Sequence, residues 1–167
     1  LVTDLSPGVE VDRVRVEVFA VGSDGEPEAA ARASDAAPLR AGSDVRAGTR
    51  VAELDGLSAG TWRVELELRL RDRAVASKVA VVTLRDAARA VTLVVTRDCV
   101  GVECPGDGSP TAVACLGGRC VDPRCTPETP EHCPDPECVQ DAECAPADGR
   151  SEERREGKEC ATGCRSR

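Results

Sequence analysis

The chain is predicted to be mainly β: a small antiparallel β-sandwich followed by a disulfide-rich segment with little regular secondary structure. Three observations predict this. Two segments alternate strictly between apolar and charged residues, further apolar runs return across short turns, and all ten cysteines fall after residue 98.

Arg13-Val14-Arg15-Val16-Glu17-Val18 places its three valines on one face and its charges on the other, as a half-buried strand requires. Trp62-Arg63-Val64-Glu65-Leu66-Glu67-Leu68-Arg69-Leu70 repeats the pattern. Period-two spacing would scatter these side chains around a helix, so a helical reading fails. A tight turn at Arg71-Asp72 leads into a return strand from Ala74 to Leu84. A second turn near Arg85-Asp86-Ala87 leads to a strand over Ala90–Val95, with Val91, Leu93 and Val95 on one side. Val51–Leu54 is expected as a short strand, closed by the turn signals Asp55-Gly56 and Ala59-Gly60. Gly22–Gly48 reads as a long loop with one strand near Glu28–Ser34; a helical turn at Ala29–Ala33 stays open. Outward charges are expected to guard the sheet edges. Each inward Val or Leu contributes roughly 1.5–3 kcal/mol on burial, enough for a modest core.

The organisation is thus a β-sandwich over 1–96, a cysteine-rich stapled segment over 97–149, and a tail over 150–167. With no Met, and an opening within a strand at Leu1–Asp4, the sandwich is expected to be truncated at its N-terminus, which leaves open a signal peptide or a lipid-attachment cysteine upstream. No Asn, Ile or Tyr occurs, a bias that GC-rich codons produce. The net charge of −8 divides into −2 over 1–96, −8 over 97–149 and +2 over 150–167. An acidic chain without a basic stripe excludes nucleic acid as a partner.

Eight cysteines are disulfide candidates: Cys99, Cys104, Cys115, Cys120, Cys125, Cys133, Cys138 and Cys144. Four-residue intervals recur between neighbours, and the linkers hold Pro, Gly, Asp and Thr with almost nothing apolar. Such a segment cannot build a core, so covalent staples must order it. The pairing stays open, since eight cysteines allow on the order of a hundred connectivities. Cysteine density of this kind belongs to oxidising compartments.

Rival chemistries fit poorly. Zinc favours Cys-x-x-Cys knuckles, which are absent. Asp135-Pro136-Glu137 and Asp141-Ala142-Glu143 lack the alternating acids and central Gly of a calcium loop, and read as a solvated surface. His132 beside Cys133 would need a free thiolate to form a nucleophilic pair. No Gly-x-Ser-x-Gly elbow occurs, Gly106-Asp107-Gly108 precedes no helix, and Glu65 and Glu67 read as solvent-facing strand acids. No catalytic, metal or cofactor residue is assigned, and the protein is expected to be non-enzymatic.

Val2-Thr3-Asp4-Leu5-Ser6-Pro7-Gly8-Val9-Glu10-Val11-Asp12 with the valine strand, Arg97-Asp98-Cys99-Val100-Gly101-Val102-Glu103-Cys104-Pro105, and Gly117-Gly118-Arg119-Cys120-Val121 carry a resemblance. Over roughly residues 1–125 the chain resembles predicted secreted lipoproteins of the myxobacterial type, and Leu57-Ser58-Ala59-Gly60-Thr61-Trp62 is similar to the strand entry of Ig-like or transthyretin-like modules. The resemblance implies an extracytoplasmic location (periplasm, outer-membrane surface or secreted) and membrane attachment only through a lipid anchor. It supplies no activity. Arg150–Cys160 resembles a translated sequencing-library adapter, which implies that Cys160 and Cys164 lack evolved partners and that the native sequence differs after about Gly149. The expected role is a structural or interaction module whose partners are other cell-surface proteins or glycans. The alternative is an accessory domain of a larger extracellular protein, binding carbohydrate or peptide.

Overall fold

The described residues form eight strands, of which β2 and β4 are the alternating segments: β1 (Val2–Thr3), β2 (Arg13–Ala20), β3 (Ala33–Pro38), β4 (Gly60–Leu70), β5 (Arg73–Leu84), β6 (Val94–Val95), β7 (Ala114–Leu116) and β8 (Arg119–Val121). A computed structural model describes residues 1–23, 25–85, 90–106, 108–126 and 129–134. Leu1–Cys133 forms one unit. Cys138, Cys144, Cys160, Cys164, the acidic runs after 134 and the tail over 150–167 lie outside the described residues.

The main sheet is antiparallel with strand order β3-β2-β4-β5. Its register sets Val14, Val16 and Val18 opposite Leu68, Leu66 and Val64, so both alternating segments turn their apolar face to the same side. Those six side chains and Trp62 are buried. Opposite them lie Leu1, Leu5, Val11, Leu39, Val45, Leu93 and Val95, so the second layer combines the parallel β1/β6 pair with loop segments. On the outer face, Arg15 pairs with Glu17 at 2.8 Å and Arg63 with Glu65 at 2.7 Å. Such surface pairs contribute little stability, about 0–1 kcal/mol each, but keep this face wet.

Leu70 pairs with Arg73 across the Arg71-Asp72 turn, whose residues have φ of 50° and 66°. Positive φ at both central positions is the type I′ geometry that matches strand twist, yet neither residue is glycine. Asp72→Gly is therefore expected to raise the unfolding free energy by about 0.5–1 kcal/mol in urea titration. The Arg13–Asp72 pair it removes is exposed at 3.5 Å and offsets little of that gain.

Three strand expectations need correction. The strand expected near Glu28–Ser34 is β3, beginning at Ala33 and ending at Pro38. Its alanines carry no alternation signal, and only an edge position tolerates the proline. Val51–Leu54 forms no strand. Its apolar side chains dock on the core, but Val-Ala-Glu-Leu does not alternate and Asp55-Gly56 ends the run. Ala90–Val95 pairs only at Val94–Val95, where Val2–Thr3 offers a partner, and Val91 remains 41% exposed.

Candidate functional site

The chemistry-bearing residues gather along the β5 edge. There the chain past β6 makes a single 3₁₀ turn, Arg97–Cys99, and the β7/β8 hairpin follows. Gly117 and Gly118 form the two-residue hairpin turn with φ of 56° and 80°. Gly118 also approaches the Asp98 carbonyl so closely that an added Cβ would sit 3.2 Å from the oxygen, so a side chain is disfavoured on two counts.

Six of the eight candidate cysteines are joined: Cys99 to Cys115, Cys104 to Cys120, and Cys125 to Cys133. The first two bridges each span 16 residues and interleave, while the third closes a loop of 8. Cys99 and Cys115 are each 3% exposed; Cys104, Cys120, Cys125 and Cys133 are half-buried. These disulfides are compatible with an extracytoplasmic location.

The ribbon is fastened to the sheet by packing and by polar bonds. Val79 of β5 packs with Ala114 and Val121 in a second small core. The Gly101 amide donates to the Val75 carbonyl at 3.0 Å. Val75 is the residue skipped in the β4/β5 register beyond Leu68, so this bond satisfies a carbonyl at a bulge. Lys78 donates from Nζ to the Cys115 carbonyl at 2.9 Å, and burial pushes its ammonium below the ordinary lysine range. Between Val75 and Val79 the β5 edge is thus met by a disulfide ribbon. This cover adds to the outward charges expected at the sheet edges, since between Arg73 and Arg85 the strand offers only Ser77, Lys78 and Thr83 as polar residues.

Arg97 ties the start of the ribbon to the loop before β2. Its guanidinium donates to Glu10 Oε2 at 2.8 Å, and its amide donates to Asp4 Oδ1 at 2.8 Å. Arg97, with the Ser6 amide, lowers the Glu10 carboxyl to about 2. A folded-state value below the ordinary 4.5 makes this clasp stabilising at neutral pH and lost as pH falls from about 4.5 through 2. The Tm of the native chain should therefore exceed that of Glu10→Gln at pH 7. The gap should close on acidification to about 2; a gap independent of pH would contradict the charged clasp.

His132 ends a second 3₁₀ turn, Pro130–His132, with Nε2 4.0 Å from Glu131 Oε1. Its neighbour Cys133 is held in a disulfide and offers no thiolate. Arg124 bonds Asp122 at 2.7 Å and lowers its carboxyl below the usual range, bracing the loop closed by Cys125–Cys133. Glu65 and Glu67 are each paired along the strand, with Arg63 and Arg69, rather than turned toward one another. No group of three or more His, Cys, Asp or Glu side chains among the described residues is placed to share a metal ion. Among them no helix is long and apolar enough to cross a membrane.

A groove of about 970 Å³ opens at the other end of the core. Trp62, Val64, Leu66 and Val82 form its floor, and residues 51–57 and 90–93 form its walls. The Trp62 indole N–H is already bonded to the Ser58 carbonyl at 3.0 Å. Period-two reasoning cannot find such a groove, since it arises where the second layer lacks strands. Lys78 did leave a trace in the sequence: it is one of two lysines and interrupts an apolar run. Arg97–Glu10 left none. No family model, curated protein or solved structure matches the chain.

Proposed function

We propose that the chain is a non-enzymatic, secreted or surface-exposed module of lipoprotein type, serving a structural or interaction role outside the cytosol. In this reading the four-stranded sheet is a rigid body and the stapled ribbon a protease-resistant spacer or display element. The observation that carries it is the coupling of three disulfides to the β5 edge in a segment with almost no core of its own. Such construction is useful where proteases are present and thiols are oxidised. Oxidised protein should resist trypsin at Arg119 and Arg124 for at least ten times longer, as an order of magnitude, than protein reduced under native conditions. Equal cleavage rates would remove the protease-resistant reading.

The groove favours a second reading, an accessory domain that binds an extended peptide or a carbohydrate. Its aliphatic walls suit a peptide strand with apolar side chains better than a sugar, because Trp62 is the sole aromatic residue lining it. A peptide array and a glycan array separate these forms, and silence on both would retire the binding reading.

A further inference from the structure

We infer that the two interleaved disulfides form a thiol–disulfide relay, in which opening the accessible Cys104–Cys120 bridge causes the buried Cys99–Cys115 bridge to open by internal exchange. The observation is one of register. Cys115 and Cys120 are direct partners in the β7/β8 hairpin, between the pairs Ala114↔Val121 and Leu116↔Arg119. In a two-residue hairpin the pair flanking the turn is hydrogen-bonded, so alternation makes Cys115/Cys120 the non-hydrogen-bonded pair. Such partners stand roughly 4.5 Å apart at Cα with side chains on one face. That lies within the span a disulfide bridges. Each of these cysteines is nevertheless bonded away from the hairpin, to Cys99 and to Cys104. Two disulfides therefore sit side by side on one short ribbon, each carrying a sulfur within reach of the other.

Exposure orders the steps. A dithiol reductant meets the half-buried Cys104–Cys120 bridge before Cys99–Cys115, whose residues are each 3% exposed. The dithiol takes the disulfide's place as the oxidised species, leaving two thiols on Cys104 and Cys120. The Cys120 thiolate then attacks Cys115 Sγ, the Cys115–Cys99 bond breaks, and Cys99 departs as a thiolate that takes up a proton. The product holds a Cys115–Cys120 cross-strand bridge and free Cys99 and Cys104, one dithiol having delivered two electrons. The hairpin keeps attacker and target together whether or not 99–104 stays docked, which gives the exchange its high effective concentration. Its consequence is mechanical. The 99–104 segment, whose Gly101 amide caps the Val75 carbonyl, loses both covalent ties to the ribbon.

The test is limited reduction of the native oxidised chain with dithiothreitol at pH 8, acid quenching, alkylation of free thiols and peptide mapping. Singly reduced molecules should carry label on Cys99 and Cys104, with Cys115 linked to Cys120. Formation of that link should be roughly a hundredfold slower at pH 6 than at pH 8, since the attacking species is a thiolate. Cys104→Ser removes the need for reductant: Cys120 begins free, and the same Cys115–Cys120 link should form with Cys99 released. Label on Cys104 and Cys120 in the native chain, with Cys99–Cys115 intact after long incubation at pH 8, would overturn the relay. So would Cys120 remaining the labelled thiol in Cys104→Ser.

Discussion

Leu68→Ala will lower the unfolding free energy by about 3–4 kcal/mol, in the middle of the range for buried leucine truncations. Leu68 has no exposed surface and lies on β4, the strand bonded on one side to β2 and on the other to β5. It faces Val14 and Ala76 across those ladders, so neighbouring backbones are held by their own pairing and cannot collapse into the space left. The cavity term then adds fully to the transfer term. Against a domain stability of about 5–15 kcal/mol, that loss is large enough to leave a substantial unfolded population on warming. Val91→Ala is the matched control. Val91 is exposed at the groove rim, and its truncation should stay within about 0.5 kcal/mol. Urea titrations of the three proteins measure both values, and equal losses would contradict the placement of the core.

Removing the buried bridge is the second large effect. Cys99→Ala with Cys115→Ala should cost about 3–5 kcal/mol, and Cys104→Ala with Cys120→Ala about 3 kcal/mol or less. Both bridges close loops of 16 residues, so constraint of the unfolded chain is the same for each. The difference isolates packing: the first pair lies in the interior and leaves a void, while the second is half solvated. Thermal unfolding of the two double variants, followed by circular dichroism, reads that difference directly. An inverted order would mean that the accessible bridge, not the interior one, holds the ribbon to β5.

The legible parts of this fold are those where one physical period governs a whole strand. Val14, Val16 and Val18, and Trp62 through Leu68, declare their buried face because the pleat alternates and the opposite face must stay charged. Arg71-Asp72 is readable as a turn because the alternating run ending at Leu70 meets an apolar run beginning at Ala74 across it. The Ala-rich stretch ending at Pro38 was not, since alanine marks neither face and β3 is held by pairing to β2 rather than by its own pattern. Val51–Leu54 and Val91 misled for the opposite reason: apolar side chains can dock on a core without their backbone finding a strand edge. Disulfide-forming composition was plain, but connectivity was not. It depends on a hairpin register that brings Cys115 and Cys120 together while sending their bonds elsewhere. The clasp between Glu10 and Arg97 spans 87 residues and has no local signature at all.

Disulfide mapping of the unreduced chain, produced by export into an oxidising compartment, tests the central claim most directly. Cleavage at Arg97, Glu103, Asp107, Arg119, Arg124, Glu128 and Glu131 separates the six cysteines of the described region into distinct peptides. Linked peptides joining Cys99 to Cys115, Cys104 to Cys120 and Cys125 to Cys133 are the predicted result. Recovery of Cys99, Cys104, Cys115 and Cys120 as free thiols, or with Cys99 joined to Cys104, would contradict it.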